Sequence, residues 1–179
     1  KPPFNDVRVR RALMMAIDFD AINKSLYGAN ARTLTWPIGY WVEFKNAYLG
    51  LDDPECPASV KELYSFNPTK AKQLLSDAGL PNGFKTSVIT PQTDSTGTVI
   101  DYYSMIKQMW AKTGVELTID SKENGAWTSI YRARSFDQII YGTYSPITNL
   151  YQAASMYGNT MTNESYVNDP KVEEARTKM

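Results

Sequence analysis

The chain has 179 residues, a formal net charge of zero at pH 7, one cysteine and no histidine. This length fits one domain, or one lobe of a larger protein, and it is long enough to bury a core. Because the charges balance, no global field attracts nucleic acid or an anionic membrane, and we expect no nucleic-acid partner. No apolar run approaches the roughly 20 residues that a membrane-spanning helix needs.

The absence of histidine argues against several kinds of enzyme. Histidine is the usual general base, the commonest transition-metal ligand and the partner in Ser-His and Cys-His nucleophile pairs. Cys56 lies in the acidic, turn-rich segment 52–57, where a single thiolate with scattered carboxylates is weak support for a metal site. We therefore predict no catalytic residue, no metal site and no cofactor.

The first half of the chain begins with two predicted helices. Asn5 or Asp6 can cap the first one. Four apolar side chains then recur at helical spacing and form one stripe: Val9, Leu13, Ala16 and Ile17. A short second helix begins at Asp18 or Asp20 and ends at Gly28, a residue that readily takes the left-handed conformation of a helix end.

Residues 29–64 lose this periodicity and predict a long ordered loop with a short helix at 58–63. A loop of this length inside a compact domain is usually functional or packed on another surface. The next helix has the clearest start in the chain, Asn67 followed by Pro68 at the first helical position. Gly79 supplies its left-handed stop.

The second half of the chain is predicted to alternate strands with helices. Strands are expected at residues 85–90, 115–120 and 137–141. Helices are expected at residues 99–114, 125–134 and about 147–157, with a last helix that opens at Asp169-Pro170. The apolar run at 137–141 favours a buried strand. The alternation predicts a mainly parallel α/β sheet with right-handed crossovers, and no glycine-rich phosphate loop follows the first strand.

A family resemblance rests on a series of segments taken in order. They are the arginine-rich helix opening at 6–18, the glycine turn at 79–84, the helix-to-strand passage at 108–117, the helix and strand at 127–142, and the asparagine-proline helix start at 166–172. Together they resemble the C-terminal lobe of the family 5 extracellular solute-binding proteins. Those proteins are receptors that deliver peptides, nickel chelates or sugars to ABC importers.

The resemblance implies a type II periplasmic-binding-protein-like lobe, with a mainly parallel sheet flanked by helices. Residues 1–179 would form one such lobe, the C-terminal lobe of a two-lobe protein whose other lobe is absent from this chain. The implied function is that of the substrate-binding component of an ABC import system, which binds a peptide-like or other small solute in an inter-lobe cleft. The solute would be an oligopeptide, a dipeptide, a metal chelate or a sugar. The other partners would be ABC permease subunits, the location extracytoplasmic (periplasm or cell surface), and the protein monomeric.

Candidate ligand-binding residues follow from the sheet and from the resemblance. Open α/β sheets bind ligands beyond the carboxyl ends of their strands. In peptide-binding members of the family, the residues that match Trp127 and Arg134 lie along the ligand, and Gly142 matches the glycine that ends a strand. Tyrosine and tryptophan suit a groove because they combine a large apolar area with a polar tip. The candidates are Trp127, Arg134, Gly142, Thr143, Tyr144, Tyr40 and Trp41.

Alternatives stay open for several of these residues. Trp127 can equally be a core residue, and Arg134 a solvated helix end. Tyr40 and Trp41 can pack against the other lobe instead of a ligand. Peptide binders often carry an aspartate where this chain has Pro146, and this difference weakens the case for a peptide ligand.

Two functions other than transport binding are compatible with this sequence. An α/β protein-interaction module without a transport role would share this alternation of elements. A hydrolase would need a Ser-Lys pair or a carboxylate pair. Asp94 and Asp120 follow predicted strands and could form such a pair, although solvated acids are the simpler interpretation.

Overall fold

The computed structural model describes residues 1–31, 33, 48–142, 155 and 168–178. The chain divides into two compact units, Lys1–Thr33 with Pro57–Tyr141, and Leu34–Cys56 with Gly142–Met179. No described helix combines the length and the apolar character that crossing a bilayer requires. The prediction of a single lobe over residues 1–179 stays a prediction.

The first unit contains six of the described helices and a small sheet. In chain order these elements are α1 (Val7–Met15), α2 (Phe19–Tyr27), α3 (Ala58–Leu63), α4 (Pro68–Asp77), β1 (Lys85–Pro91), α5 (Val99–Ala111), β2 (Glu116–Lys122), α6 (Asn124–Ala133) and β3 (Ile139–Ile140). In the second unit, helix α7 (Pro170–Thr177) follows Asp169, whose side chain accepts a hydrogen bond from the Lys171 amide. The predicted last helix is therefore confirmed.

Three of the predicted helix starts of the first unit, those of α1, α2 and α4, are confirmed by side-chain caps. In each case the cap accepts a hydrogen bond from an amide of the first turn, and the capping residues are Asp6, Asp18 and Asn67. Gly28 ends α2 in the left-handed region, with φ of 57°. The helix predicted over about 147–157 lies outside the described residues, apart from Ser155, which is helical.

The sheet is parallel throughout its described strands, in the order β2-β1-β3. The first pair runs in register from Lys85 opposite Glu116 to Pro91 opposite Lys122. Helix α5 connects β1 to β2, and α6 connects β2 to β3. The alternation of strands and helices thus predicted the parallel sheet correctly.

The third strand is shorter and less buried than predicted. It contains only Ile139 and Ile140, both half-buried, where the sequence favoured a buried strand over 137–141. The difference arises at Gln138, whose side-chain oxygen accepts hydrogen bonds from the Ser87 amide at 2.7 Å and the Thr86 hydroxyl at 2.8 Å. At this position a side chain, and not the backbone, therefore forms the hydrogen bonds to the neighbouring strand.

The hydrophobic core of the first unit is built from side chains of α1, α4, α5 and the sheet. Its large buried side chains include Val9, Leu13, Met15, Leu75, Val88, Ile106, Trp110 and Leu117. Two hydrogen bonds join the helices across this core. The Trp110 indole nitrogen donates to the Leu13 carbonyl oxygen at 3.0 Å, and the Asn67 amide donates to the Met15 carbonyl oxygen at 2.8 Å.

Candidate functional site

The carboxyl ends of β1 and β3 lie side by side because the two strands are parallel neighbours. Tyr141 follows β3, and its amide donates to the Ile89 carbonyl oxygen at 2.8 Å. Gln92 follows β1, and its amide donates to the Lys122 carbonyl oxygen of β2 at 2.9 Å. This hydrogen bonding fixes the backbone at the edge where ligands of open α/β sheets bind.

An aromatic cluster occupies this edge; its members are Tyr102, Tyr103, Trp127, Tyr131 and Tyr141. The Tyr141 ring lies edge-on to Tyr103, with centroids 6.4 Å apart, and is tilted against Trp127 at 6.1 Å. Trp127 stacks on Tyr131 with centroids 5.1 Å apart. Aromatic rings in offset or edge-on contact stabilise the fold by more than the burial of their apolar area alone would supply. The end of β3 thus meets residues of α5 and α6 in one aromatic surface.

Trp127 is the predicted site residue that the structure places in this cluster. Its side chain lies on the first half of α6, and the residue is 7% exposed. Its indole N–H has no hydrogen-bond acceptor among the residues that the structure describes. Trp127 is therefore buried within the first unit, and ligand contact by its side chain stays a prediction.

The other predicted site residues fall into two groups. Arg134 ends α6 in the left-handed region with φ of 53° and is half-buried, so its helix-end position is as the sequence indicated. Gly142 is half-buried and begins a segment of the second unit. Ligand contact by either residue stays a prediction. The remaining candidates lie outside the described residues: Tyr40, Trp41, Thr143 and Tyr144.

Asp94 brings a carboxylate to the aromatic cluster. One of its oxygens, Oδ2, accepts a hydrogen bond from the Tyr141 hydroxyl at 2.9 Å. The other, Oδ1, accepts from the Thr96 hydroxyl at 2.8 Å and the Thr96 amide at 3.2 Å. Asp120 instead lies within β2 and pairs with Lys122 at 2.9 Å. The two acids that the sequence offered as a carboxylate pair thus have different partners.

The protonation states follow from these surroundings. Burial alone would raise the pKa of Asp94, but the hydrogen bonds from Thr96 and Tyr141 outweigh it and hold that pKa below its ordinary value. Burial, reinforced by the hydrogen bond to Asp94, raises the pKa of Tyr141 to about 12. Burial also raises the pKa of Tyr103 well above its ordinary value. At neutral pH the site therefore presents one negative charge among neutral phenols.

The Tyr141 pKa predicts a loss of stability at alkaline pH. Because folding raises this pKa from 10.0 to about 12, its stabilising contribution is complete below about pH 10 and is lost as the pH rises towards 12. We expect the free energy of unfolding to fall more steeply above about pH 10 in the wild type than in Tyr141→Phe. Urea unfolding at a series of pH values measures both slopes, and equal slopes would contradict the assignment.

The pairing of Asp94 with Tyr141 was not predicted from the sequence, in which Asp94 is a possible catalytic acid and Tyr141 is part of a strand. A usable signal was present, because the two residues follow strands that end at the same edge of a parallel sheet.

The groups at this edge are suited to non-covalent contacts with a small molecule. The cluster offers apolar faces, hydroxyl tips and one carboxylate. Among the described residues, no group of three or more cysteine, aspartate or glutamate side chains could hold a metal ion. Cys56 is buried and belongs to the second unit.

The family described as bacterial extracellular solute-binding proteins, family 5 Middle, matches residues 1–164. The chain belongs to this family. The resemblance drawn from the sequence is thereby confirmed, as is the α/β fold of the type II periplasmic-binding-protein kind, with a parallel sheet flanked by helices.

Individual family relatives agree with this assignment. The chain is 34% identical over 132 residues to the dipeptide-binding protein of Escherichia coli K12, a match that covers 71% of the chain and 22% of the relative. It is 31% identical over 121 residues to heme-binding protein A of Haemophilus influenzae, covering 65% of the chain and 19% of the relative. The structure of HbpA2 from Haemophilus parasuis superposes with a TM-score of 0.75 at 28% identity, covering 99% of the chain and 34% of that structure. The chain thus spans about a fifth of the length of these curated relatives.

Proposed function

We propose that the protein containing this chain is the substrate-binding component of an ABC import system and works outside the cytoplasm. Residues 1–179 contribute its C-terminal lobe, and a second lobe closes over a peptide-like or other small solute. Membership of a family of extracellular solute-binding proteins supports this proposal. Relatives with similar sequences are named for binding a dipeptide and heme. Because these two ligands differ, we propose only that the solute is a small organic molecule.

The observation that carries the proposal is the aromatic cluster at the carboxyl edge of the sheet. Its rings come from α5, α6 and the end of β3, and they combine apolar faces with phenolic hydroxyls and the Asp94 carboxylate. Surfaces of this composition hold small ligands because they remove apolar area from water and orient the ligand through a few polar groups.

Within this proposal, Trp127 forms part of the wall on which the solute lies. Its indole N–H is buried and lacks an acceptor among the described residues, so a polar atom of the solute would satisfy it. Arg134 ends α6 and Gly142 follows Tyr141, so both residues are close in sequence to residues of this proposed wall. The candidates outside the described residues (Tyr40, Trp41, Thr143 and Tyr144) complete the proposed binding set.

The proposed partners are the solute and the ABC permease subunits that receive it from a monomeric binding protein. Closure of two lobes around a ligand is a hinge motion, and it changes the outer surface of the protein. A permease can recognise the closed form by this changed surface. The family consists of solute-binding proteins, and we propose that the solute leaves chemically unchanged.

A ligand screen on the full protein tests this function. Dipeptides, tripeptides, heme, nickel chelates and sugars are added separately, and thermal unfolding is followed. A true ligand at about 100 times its Kd stabilises the folded state by roughly 2.7 kcal/mol, which raises Tm by several degrees. Calorimetry then gives the affinity, and mass spectrometry of the released ligand shows whether it is intact. Stabilisation by none of these classes, or release of a chemically altered compound, would refute the proposal.

A further inference from the structure

We propose that Thr98 and Tyr27 are positioning residues, which hold the loop between β1 and α5 in place through a chain of hydrogen bonds that ends on Asp94. This loop, residues 92–98, follows the carboxyl end of β1. Neither positioning residue needs to touch the solute. Because the loop lies at the edge expected to bind it, the inference rests on the proposed function and adds residues that act on binding from outside the site.

The chain consists of hydroxyl groups and one carboxylate. The Tyr27 hydroxyl oxygen, at the end of α2, lies 3.4 Å from the Thr98 hydroxyl oxygen, which lies 2.7 Å from that of Thr96. Thr96 donates to Asp94 Oδ1 at 2.8 Å, and from the other side Tyr141 donates to Asp94 Oδ2 at 2.9 Å. The chain therefore connects the loop to α2 on one side and to the end of β3 on the other.

The charge of Asp94 fixes the direction of every donor in the chain. Although burial would raise the pKa of Asp94, its hydrogen bonds hold that pKa below the ordinary value, so the group is ionised at neutral pH and only accepts. A hydroxyl has one proton to donate. Since Thr96 donates its proton to Asp94, Thr98 must donate to Thr96, and Tyr27 must then donate to Thr98. Hydrogen bonds that run in one direction towards a charge polarise and strengthen one another.

Thr98 occupies the N-cap position of α5 but does not cap the helix. A threonine at this position normally accepts a hydrogen bond from an amide of the first helical turn. The amides of this turn belong to the described part of the chain, and the Thr98 side chain bonds none of them. Its hydroxyl and its amide are both directed to the Thr96 hydroxyl oxygen, at 2.7 Å and 3.3 Å. The Thr98 side chain therefore stabilises the loop and not the helix start.

The chain matters because most of the loop is exposed, so apolar packing contributes little to holding it. The exposed members are Gln92, Thr93, Ser95, Thr96 and Gly97. A loop that is already fixed loses less conformational freedom when a ligand binds, and affinity rises accordingly. Through Asp94 the chain also reaches the hydroxyl of Tyr141, whose ring belongs to the aromatic cluster. Thr98 and Tyr27 thereby influence the proposed binding surface without being part of it.

Hydrogen-deuterium exchange of the full protein without ligand tests the chain. Thr98→Val removes the central hydroxyl at nearly constant side-chain size, and Thr98→Ser is the matched control that keeps it. We expect the amides of residues 94–98 to exchange about 3- to 10-fold faster in Thr98→Val, the factor that one net hydrogen bond supplies, and at the wild-type rate in Thr98→Ser. Tyr27→Phe should give about a twofold effect, because its link is the longest. Exchange in α4 reports any general loss of stability.

Calorimetry then tests the effect on binding. Each variant is titrated with the dipeptide, tripeptide, heme, nickel chelate or sugar that stabilises the wild type in the ligand screen. Affinity should fall by about the same 3- to 10-fold in Thr98→Val and remain at the wild-type value in Thr98→Ser. Tyr27→Phe lies outside α5 and keeps the test decisive if Thr98→Val weakens that helix.

The outcomes separate this inference from the proposed function. Unchanged exchange of the loop in Thr98→Val and Tyr27→Phe would overturn the chain, and so would a Thr98→Ser protein as impaired as Thr98→Val. Faster exchange without a loss of affinity would overturn the positioning role while leaving solute binding intact. Failure of every solute in the screen would refute the proposed function, and the exchange rates would still decide whether the chain holds the loop.

Discussion

Replacing Gly83 with alanine is expected to destabilise the folded protein by more than about 4 kcal/mol. Gly83 has φ of 74°, and a Cβ atom there would lie 2.1 Å from the Gly114 carbonyl oxygen. The obstacle is backbone, which cannot rotate away as a side chain can. The glycines belong to two turns that meet where β1 and β2 begin, next to the hydrogen bond from the Glu116 amide to the Phe84 carbonyl oxygen at 2.9 Å.

Gly79→Ala separates the cost of the steric contact between the two turns from the cost of placing an L-residue at positive φ. Gly79 also has positive φ, 83°, but a Cβ atom there would have no neighbour within 4 Å. We expect a loss of only about 1 to 2 kcal/mol, the strain of an L-residue in the left-handed region. Urea unfolding followed by circular dichroism measures both variants in the full protein. Similar losses in the two variants would show that the contact between the turns does not matter.

Local sequence signals were sufficient for most of the helices. A capping side chain, a proline at the first helical position and a glycine stop each act within a few residues, and so Asn67, Pro68 and Gly79 placed α4 without any knowledge of the fold. The parallel sheet was predictable for a similar reason. A strand connected to its neighbour by a helix runs parallel to it.

The short third strand was not predictable from local signals. Its apolar residues resemble those of a buried strand, and the length over which they pair depends on Gln138 meeting Thr86 and Ser87, some 50 residues earlier in the chain. A polar side chain that accepts hydrogen bonds from a neighbouring strand leaves no periodic trace in the sequence.

The aromatic cluster could be predicted from the sequence only in part. That the ends of β1 and β3 share an edge followed from the alternation of strands and helices, whereas ligand binding at this edge stays a prediction. The hydrogen bond between Asp94 and Tyr141 joins residues 47 positions apart, and its formation depends on how α5 and α6 direct their rings around the end of β3. Such orientations are set by tertiary packing, which the pattern of one sequence does not contain.

Trp110→Ala is expected to destabilise the protein by about 3 to 5 kcal/mol. Trp110 is 6% exposed and lies in the core between α1, α5 and the sheet, so truncation leaves a large cavity. Its indole N–H also donates to the Leu13 carbonyl oxygen, one of the carbonyls in the last turn of α1 that have no partner within their own helix. The substitution therefore removes both apolar contacts and the link between two helices, and the change in urea midpoint measures the total.

Trp110→Phe divides this loss into its two parts. Phenylalanine keeps most of the apolar contact but cannot donate, so the Leu13 carbonyl oxygen is left buried without its donor, at a cost of about 1 to 3 kcal/mol. Helix α5 also carries Tyr102 and Tyr103, yet Trp110 itself has no ring contact with the aromatic cluster within the described residues. Ligand affinity of the folded Trp110→Phe protein should consequently match that of the wild type. A loss for Trp110→Phe as large as that for Trp110→Ala would show that the hydrogen bond, and not the packing, joins α1 to α5.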